Sequence, residues 1–209
     1  MTDLLLWADA EMTGLDPKTD LILEVSLMPT TRTGVILDDP VTFLINSKQR
    51  WFQDAIDRMP EVVQEMHTKS GLFDDLRDDR LPKYRYSEAR AAILELIAGW
   101  GNALEEYPGQ KFRLAGASVQ FDKSFLDLHF FNNAMAVGTT SEEAQKDVQK
   151  RMSHRILDVS TLKYFFPQAI KEDPGYPKFE GTVHRAKDDM LNSYEEYVFF
   201  LKQMYPDVA

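Results

Sequence analysis

The stretch LLLWADAEMTGLDP, residues 4–17, restricts the fold more than any other part of the chain. Leu4–Ala10 is a largely apolar run, and a turn sequence with Gly14 and Pro17 follows it, which is typical of a buried strand leading into a turn. Asp9 and Glu11 are two residues apart, and residues two apart on a strand face the same way. The stretch therefore predicts a buried strand with two adjacent carboxylates on one face.

Strands and helices are predicted over most of the remaining chain. Two further strands, Leu21–Met28 and Val35–Ile45, follow closely and suggest an antiparallel meander with the first. An amphipathic helix begins at a Ser87 cap. The later elements are strands at Lys111–Val119 and Ile156–Val159, and helices at Phe121–Asn133 and near the C-terminus. Three adjacent strands followed by alternating helices and strands predict an α/β fold with a mixed sheet.

Composition narrows the chemistry that the chain can perform. The 209 residues fit one domain. The absence of cysteine excludes disulfides, cysteine nucleophiles and iron–sulfur sites. The four histidines are widely scattered, so a zinc site built only from protein ligands is not expected. Any metal site must then consist of oxygen ligands.

Charge argues against a broad nucleic-acid surface. The chain has 34 acidic and 24 basic residues and a net charge of −10, whereas a surface that follows a phosphate backbone needs the opposite sign. Nucleic acid held in a small pocket through metal ions stays compatible with this charge. The N-terminal residues lack the basic start of a signal peptide, and no run of about 20 apolar residues occurs. These features predict a cytoplasmic protein with no membrane partner.

Three acidic residues in the first two thirds of the chain each have two interpretations. Asp9 and Glu11 beside an apolar run are costly unless a cation neutralises them, and Mg²⁺ prefers such oxygen sites. Alternatively, they form the solvated end of a strand. Asp122 is either a carboxylate that favours a helix N-terminus or a site residue beyond the carboxyl end of a strand.

A histidine and two aspartates open the last helix. His184 near Asp188 and Asp189 fits a base that activates water while an acid holds a metal, but the same residues also suit a plain helix start. Helical periodicity favours Asp188 as the partner if His184 lies within the helix. If His184 lies in the preceding loop, the spacing leaves the choice between Asp188 and Asp189 open.

Five segments, in order along the chain, together resemble a known family. The stretches Asp9–Leu15, Val119–Leu126 and His184–Asp189 resemble the three motifs of the DEDDh 3′–5′ exonucleases. Two more, His67–Leu72 and Leu157–Leu162, resemble the oligoribonuclease branch of that family. The resemblance extends over nearly the whole chain.

The resemblance implies an RNase H-like exonuclease fold in a single domain, residues 1–209, with an insertion around residues 136–150. It implies a site with two Mg²⁺ or Mn²⁺ ions, and it makes His184 the general base for the attacking water. The carboxylates that it assigns to the metals are Asp9, Glu11, Asp122 and Asp189, which selects Asp189 over Asp188. Histidine has a reference pKa of about 6.5 and so can accept a proton near neutral pH.

Four more residues match positions that contact substrate in the oligoribonuclease branch. Leu15 and His67 match contacts to the terminal bases and the 3′ end. Ser118 and Arg155 match contacts to the 5′ phosphate of a dinucleotide. The resemblance therefore implies a pocket for the end of a short nucleic acid.

The chain departs from the oligoribonuclease pattern at three positions in this pocket. Val62 replaces a tryptophan, Phe121 a glutamine and His154 a tyrosine. Stacking of a base on an aromatic ring is worth about 1–3 kcal/mol. A preference for dinucleotides is therefore predicted to be reduced or absent.

The sequence thus predicts a metal-dependent 3′–5′ exonuclease that acts on the 3′ ends of short RNA or single-stranded DNA. One alternative is a DNA exonuclease of the proofreading or trimming type, and another is an inactive RNase H-like domain that only binds nucleic acid. The presence of all five catalytic residue types argues against the inactive domain. A homodimer is compatible with the sequence, which does not specify an oligomeric state.

Overall fold

A five-stranded sheet forms the centre of the computed structural model, which describes residues 4–46, 48–102, 110–132, 142–179 and 184–205. Its strands are β1 (Leu4–Met12), β2 (Ile22–Thr30), β3 (Val41–Leu44), β4 (Phe112–Gly116) and β5 (Met152–Asp158). The strand order is β3-β2-β1-β4-β5. The first three strands pair antiparallel, whereas β4 and β5 continue the sheet in parallel with β1. The predicted α/β fold with a mixed sheet is confirmed.

Nine helices in the described residues surround the sheet. They are α1 (Arg50–Asp57), α2 (Glu61–Lys69), α3 (Leu72–Arg77), α4 (Tyr86–Asn102), α5 (Gln120–Leu126), α6 (Glu142–Arg151), α7 (Val159–Phe165), α8 (Pro167–Glu172) and α9 (Ala186–Met204). A π-helical segment, Asp127–Phe131, extends α5. None of the helices in this part of the chain has the length and apolar character that crossing a membrane requires.

Several predicted boundaries were wrong. The third strand covers only Val41–Leu44, because residues 31–37 form a tight turn in which the Thr31 N–H donates to the Val35 carbonyl at 2.8 Å. Ser87 does not cap the fourth helix, which begins at Tyr86. The Glu88 carboxylate instead accepts the Arg85 N–H at 2.8 Å.

The predicted insertion around residues 136–150 is only partly described. Residues 136–141 lie outside the described residues, and the remainder falls within α6. That helix packs on α4, where the Arg90 guanidinium donates to Gln145 Oε1 at 2.8 Å.

Side-chain alternation along β1 determines which helix layer each residue faces. Leu4, Leu6 and Ala8 belong to one buried cluster, which also contains the apolar face of α4. Leu5 and Trp7 belong to a second cluster, on the side of the sheet that α9 covers. Because the period of a strand is two residues, Asp9 and Glu11 continue the series of Leu5 and Trp7. Both carboxylates therefore lie on the α9 side of the sheet.

Candidate active site

The carboxyl end of β1 presents Asp9 and Glu11 toward α9. Glu11 is buried and Asp9 is partly buried. Immediately after Glu11 the antiparallel register with β2 shifts at Met12. Bulges of this kind terminate pairing and redirect side chains next to active sites. The regular pairing of β1 with β2 thus ends directly beside the two carboxylates.

Asp122 lies at the same end of β1, although it is far from Asp9 in the sequence. It lies in the first turn of α5, just beyond the carboxyl end of β4, which runs parallel to β1. Its Oδ1 accepts the backbone N–H of Ala10 at 2.9 Å, and the side chain is buried. This bond joins the start of α5 to β1 and places the Asp122 carboxylate beside Asp9.

The start of α9 completes the cluster. Ligand atoms of Glu11, His184 and Asp189 all lie within 4.8 Å of one another, a spacing that one metal ion could span. His184 precedes the helix, which begins at Ala186, and of the two aspartates Asp189 is the one that lies in this group. Asp188 is exposed and lines, with Lys187, a surface cavity of about 390 Å³.

The pKa values of all four carboxyl groups are raised, above all because burial disfavours the charged form. Burial and the charges of Asp189 and Glu24 raise the pKa of Glu11 to about 8. Burial raises the pKa of Asp122 to about 7, and it raises that of Asp9 well above the usual range, with Asp122 and Glu11 as further causes. The pKa of Asp189 is raised by burial as well, although His184 lowers it.

These shifts indicate that the chain itself does not neutralise the cluster. Carboxylates packed together in a buried site are stable as anions only if cations compensate them. Hard divalent cations with oxygen ligands meet that requirement. The residues present therefore fit the metal ions that the sequence predicted.

A fifth carboxylate, which the sequence analysis did not assign to the site, lies directly opposite Glu11. Glu24 on β2 pairs in register with Glu11, and only 1% of its surface is exposed. Unlike Glu11, it has a cation of its own, because Arg185 contacts it with Nη2 at 2.7 Å. The signal available in the sequence was a glutamate within the otherwise apolar run Leu21–Met28.

His67 lies behind the cluster rather than on its open side. Its side chain is fully buried, and its Nε2 lies 2.9 Å from the Met12 carbonyl, to which it can donate. Its Nδ1 lies 3.6 Å from Glu11 Oε2. Burial lowers the pKa of this imidazole. In this conformation the His67 ring is buried beside Glu11, and its Nδ1 has no hydrogen-bond partner among the described residues.

Leu15 is at the tip of the turn between β1 and β2, and 74% of its surface is exposed. Asp20 holds this turn by accepting the Asp16 N–H at 2.9 Å. A Cβ at Gly14 would lie 2.5 Å from Asp20 Oδ2, so only glycine allows that close approach. The turn therefore presents a large apolar side chain on a fixed backbone.

Ser118 and Arg155, which are predicted to contact a phosphate, lie on different segments: Ser118 follows β4, and Arg155 lies on β5. Ser118 has a left-handed backbone with a φ of 51°, and its N–H donates to Asp158 Oδ1 at 2.9 Å. Arg155 is exposed and lies three residues before Asp158 on β5. Because side chains alternate along a strand, Arg155 and Asp158 point to opposite faces.

The chain is similar to known proteins over nearly its whole length. No family model matches the chain. An oligoribonuclease from Mycobacterium sp. (strain KMS) is 29% identical over 204 residues, which cover 96% of this chain and 80% of that protein. The mitochondrial oligoribonuclease of Mus musculus is 27% identical over 205 residues, covering 98% and 75% respectively.

Solved structures agree on the fold. Exonuclease I of E. coli, in a zinc-bound complex with single-stranded DNA, superposes with a TM-score of 0.63 at 13% identity. Exonuclease I of Methylocaldum szegediense gives 0.61 at 16% identity. The matches cover 99% and 98% of this chain but only 42% and 41% of the exonuclease I chains, so the chain spans about two fifths of their length. The chain is therefore similar to oligoribonucleases over nearly its whole length and shares the fold of exonuclease I, which agrees with its resemblance to the DEDDh exonucleases.

The sheet topology brings distant parts of the sequence to one edge of the sheet. The three stretches that resemble the DEDDh motifs lie on β1 and the following turn, at the start of α5, and at the start of α9. They are far apart in sequence, and parallel pairing of β1 with β4 brings the first two to the same edge of the sheet. The RNase H-like fold of the family is confirmed by the sheet order and by the exonuclease I neighbours.

Proposed function

We propose that the chain is a metal-dependent 3′–5′ exonuclease that removes nucleoside 5′-monophosphates from the 3′ ends of short RNA or single-stranded DNA in the cytoplasm. The observation that carries this proposal is the buried cluster of Glu11, His184 and Asp189, with ligand atoms within 4.8 Å of one another and Asp9 and Asp122 beside it. A domain that only binds nucleic acid has no use for a buried, uncompensated group of carboxylates next to a histidine.

Four carboxylates would hold two Mg²⁺ or Mn²⁺ ions: Asp9, Glu11, Asp122 and Asp189. When bound, such a pair of ions supplies Lewis-acid stabilisation of the attacking and leaving oxygens in an in-line displacement at phosphorus. The chain's own contribution is to fix the ligands before substrate arrives. The bond from the Ala10 N–H to Asp122 and the sheet register at Glu11 supply that rigidity.

His184 would act as the general base. Its side chain faces Glu11 and Asp189, so a water molecule bound among these groups would lie within reach of the imidazole. The ring nitrogen would accept a proton from the attacking water while the water oxygen forms a bond to phosphorus. The bond between phosphorus and the 3′ oxygen of the preceding nucleotide then breaks, and that oxygen keeps the electron pair and takes up a proton from solvent.

Substrate would approach over the exposed side of the cluster. Leu15 is exposed and would pack against the terminal base, and Ser118 and Arg155 would contact a phosphate further along the strand. Val62 and Phe121 are exposed as well, at 72% and 55%. His67 is buried beside Glu11 in this conformation, and its contact with the 3′ end stays a prediction.

A degradation assay with matched RNA and DNA oligomers of about two to twenty nucleotides tests the proposed function. Oligomers labelled at the 5′ end should give a descending ladder, whereas label at the 3′ end should be released at once as a mononucleotide. Binding without cleavage would support the inactive domain, and cleavage only of longer DNA would support the trimming enzyme.

The same assay tests the length preference. With Val62 and His154 in place of aromatic residues, we expect dinucleotides to be cut less than about 100-fold faster than ten-mers, since one lost stacking contact is worth about 1–3 kcal/mol. The exposed Val62 leaves room for a larger ring, so Val62→Trp should increase the preference for dinucleotides about 5- to 100-fold. An unchanged preference in that variant would place position 62 outside the substrate pocket.

Replacing His184 with alanine should lower the rate roughly 10²–10⁴-fold, the usual contribution of a positioned acid–base group. The increase of rate with pH that a histidine base produces should also disappear. Mn²⁺ binding, measured by calorimetry, should persist because the four carboxylates remain. Lys187→Ala is the control and should keep its rate, since Lys187 is an exposed residue at the start of α9. A rate near that of the unaltered enzyme for His184→Ala would show that another group accepts the proton.

A further inference from the structure

Among the described residues, the hydrogen bonds and ion pairs of the buried Glu24 carboxylate all go to Arg185 and Ala186 at the start of α9. Arg185 approaches it as a two-pronged fork, with Nε 3.1 Å from Oε2 and Nη2 2.7 Å from Oε1. The Ala186 N–H, which opens α9, donates to Oε2 at 2.9 Å. Two-pronged contacts between arginine and a carboxylate restrict geometry more than a single point charge does. Glu24 thereby fixes two consecutive residues of the α9 start to β2.

Arg185 also contacts a third element. Its Nη2 lies 2.8 Å from Asp75 Oδ2 on α3. The guanidinium, which is mostly buried, therefore joins β2, α3 and the start of α9. We call this group, Glu24 with Arg185 and Asp75, the arginine clamp.

The clamp lies immediately beside the proposed general base. His184 directly precedes Arg185 and has a φ of 48°, in the left-handed region that is costly for residues other than glycine. Such conformations persist only where the surroundings impose them. Asp189 follows four residues after Arg185, one helical turn on, and its N–H donates to the Arg185 carbonyl at 3.0 Å. Both site residues are thus connected to the clamp through short stretches of fixed backbone.

We propose that Arg185 and Glu24 are positioning residues that hold His184 and Asp189 against Glu11. The inference rests on the proposed metal-dependent function and extends it to two residues that would touch neither substrate nor metal. The clamp lets a second glutamate lie directly opposite Glu11 without adding an uncompensated charge. Because the clamp holds the start of α9 to β2, the β1–β2 register also determines where α9 lies relative to β1.

Charge and positioning make opposite predictions for one substitution. Arg185→Gln removes a positive charge near the carboxylate cluster, so electrostatics alone should tighten cation binding. If Arg185 positions Asp189, the same change should weaken cation binding, because outer contacts of metal ligands are typically worth 10- to 100-fold in metal affinity. The sign of the change in Mn²⁺ affinity therefore separates the two roles.

The experiment measures the Mn²⁺ dissociation constant by calorimetry and kcat and KM at saturating Mn²⁺, well below the melting temperature of each variant. Arg185→Gln should raise the dissociation constant about 10-fold or more and lower kcat by a similar factor, with KM little changed. Lys187→Gln is the matched control, since it removes the same charge from an exposed residue of the same helix, and its Mn²⁺ affinity should be unchanged or higher. Arg185→Lys keeps the charge but loses the fork, and should show a smaller loss in the same direction.

A double variant tests whether the two residues act through each other. Glu24→Gln with Arg185→Gln should bind Mn²⁺ about as weakly as the worse single variant, because removing either partner already releases the helix start. Multiplicative losses, or a tighter Mn²⁺ complex in folded Arg185→Gln, would overturn the positioning role. If the unaltered chain neither binds Mn²⁺ nor cuts oligomers, the proposed function fails first, and the two failures are distinguishable.

Discussion

Chelation of divalent cations should abolish nucleotide release completely, and adding Mg²⁺ or Mn²⁺ in excess should restore it. Four carboxyl groups with raised pKa values face one another, and among the described residues none of them has a two-pronged arginine partner as Glu24 has in Arg185. Without ions, the site has nothing to stabilise charge developing on a phosphodiester. Release of mononucleotides from a labelled oligomer is the measurement. Full hydrolysis in excess chelator would exclude the proposed mechanism.

Metal removal should also change how stability depends on pH. Raised pKa values mean that the folded state binds protons that the unfolded state has already lost, so stability falls as pH rises toward the folded values of about 7 for Asp122 and about 8 for Glu11. Lowered pKa values at His67 and His129 act in the opposite direction, but only below about 6.5, the usual histidine value. Between about pH 6.5 and 8.5 the carboxyl groups therefore dominate.

Thermal unfolding of the metal-free protein across that range measures the effect. The melting temperature should fall by several degrees, since one proton per pH unit corresponds to about 1.4 kcal/mol and each kcal/mol to about 2–4 °C. With Mn²⁺ present the trend should reverse, because ligands must lose protons to bind a cation. Glu11→Gln is the control and should flatten the metal-free slope. A metal-free melting temperature that rises over this range would contradict the raised carboxyl pKa values.

Asp189→Ala should reduce the rate about 10³-fold or more, equivalent to about 4 kcal/mol of lost transition-state stabilisation. Its carboxylate is partly buried and lies within 4.8 Å of ligand atoms on Glu11 and His184. Asp188→Ala, one residue away, should change the rate about fivefold or less, since an exposed charge in the first turn of a helix is worth about 0.3–1 kcal/mol.

The two adjacent aspartates control for each other, because both substitutions remove one negative charge from the first turn of α9. Oligomer hydrolysis and Mn²⁺ calorimetry should give the same ranking of the two variants. A larger loss in Asp188→Ala would mean that α9 presents a different face to β1 in the working enzyme.

Sequence reasoning alone reached the mixed α/β fold and the shared face of Asp9 and Glu11. Both follow from periodicity, since a buried strand alternates sides every two residues whatever surrounds it. The three stretches that resemble the DEDDh motifs could also be recognised from the sequence, because the order of residues along the chain does not depend on contacts in the fold. The resemblance of these motifs was sufficient to predict the class of enzyme.

Helices α1 to α3 show where local patterns failed. The acidic run Phe73–Arg80 contains none of the elements predicted from the sequence, yet its first half is helical in α3. Leu72 and Leu76 are buried there, and Asp75 meets Arg185. Its helicity depends on packing against the rest of the fold, which outweighs the weak intrinsic preferences of so short a segment.

The resemblance selected Asp189 over Asp188, but only the tertiary structure shows the Asp189 carboxylate near Glu11 and His184. It also shows that His67 is buried behind Glu11 and that Glu24 pairs with Arg185. That pair joins residues 161 positions apart, and its geometry depends on the register of β1 against β2 and on α9 beginning at Ala186. Neither the strand register nor the start of α9 produces a periodic pattern in the sequence. The sequence determined which side chains were available for catalysis. The packing of α9 on the sheet determined which of them contact one another, because a contact across the fold depends on the positions of whole helices and strands and not on neighbouring residues in the chain.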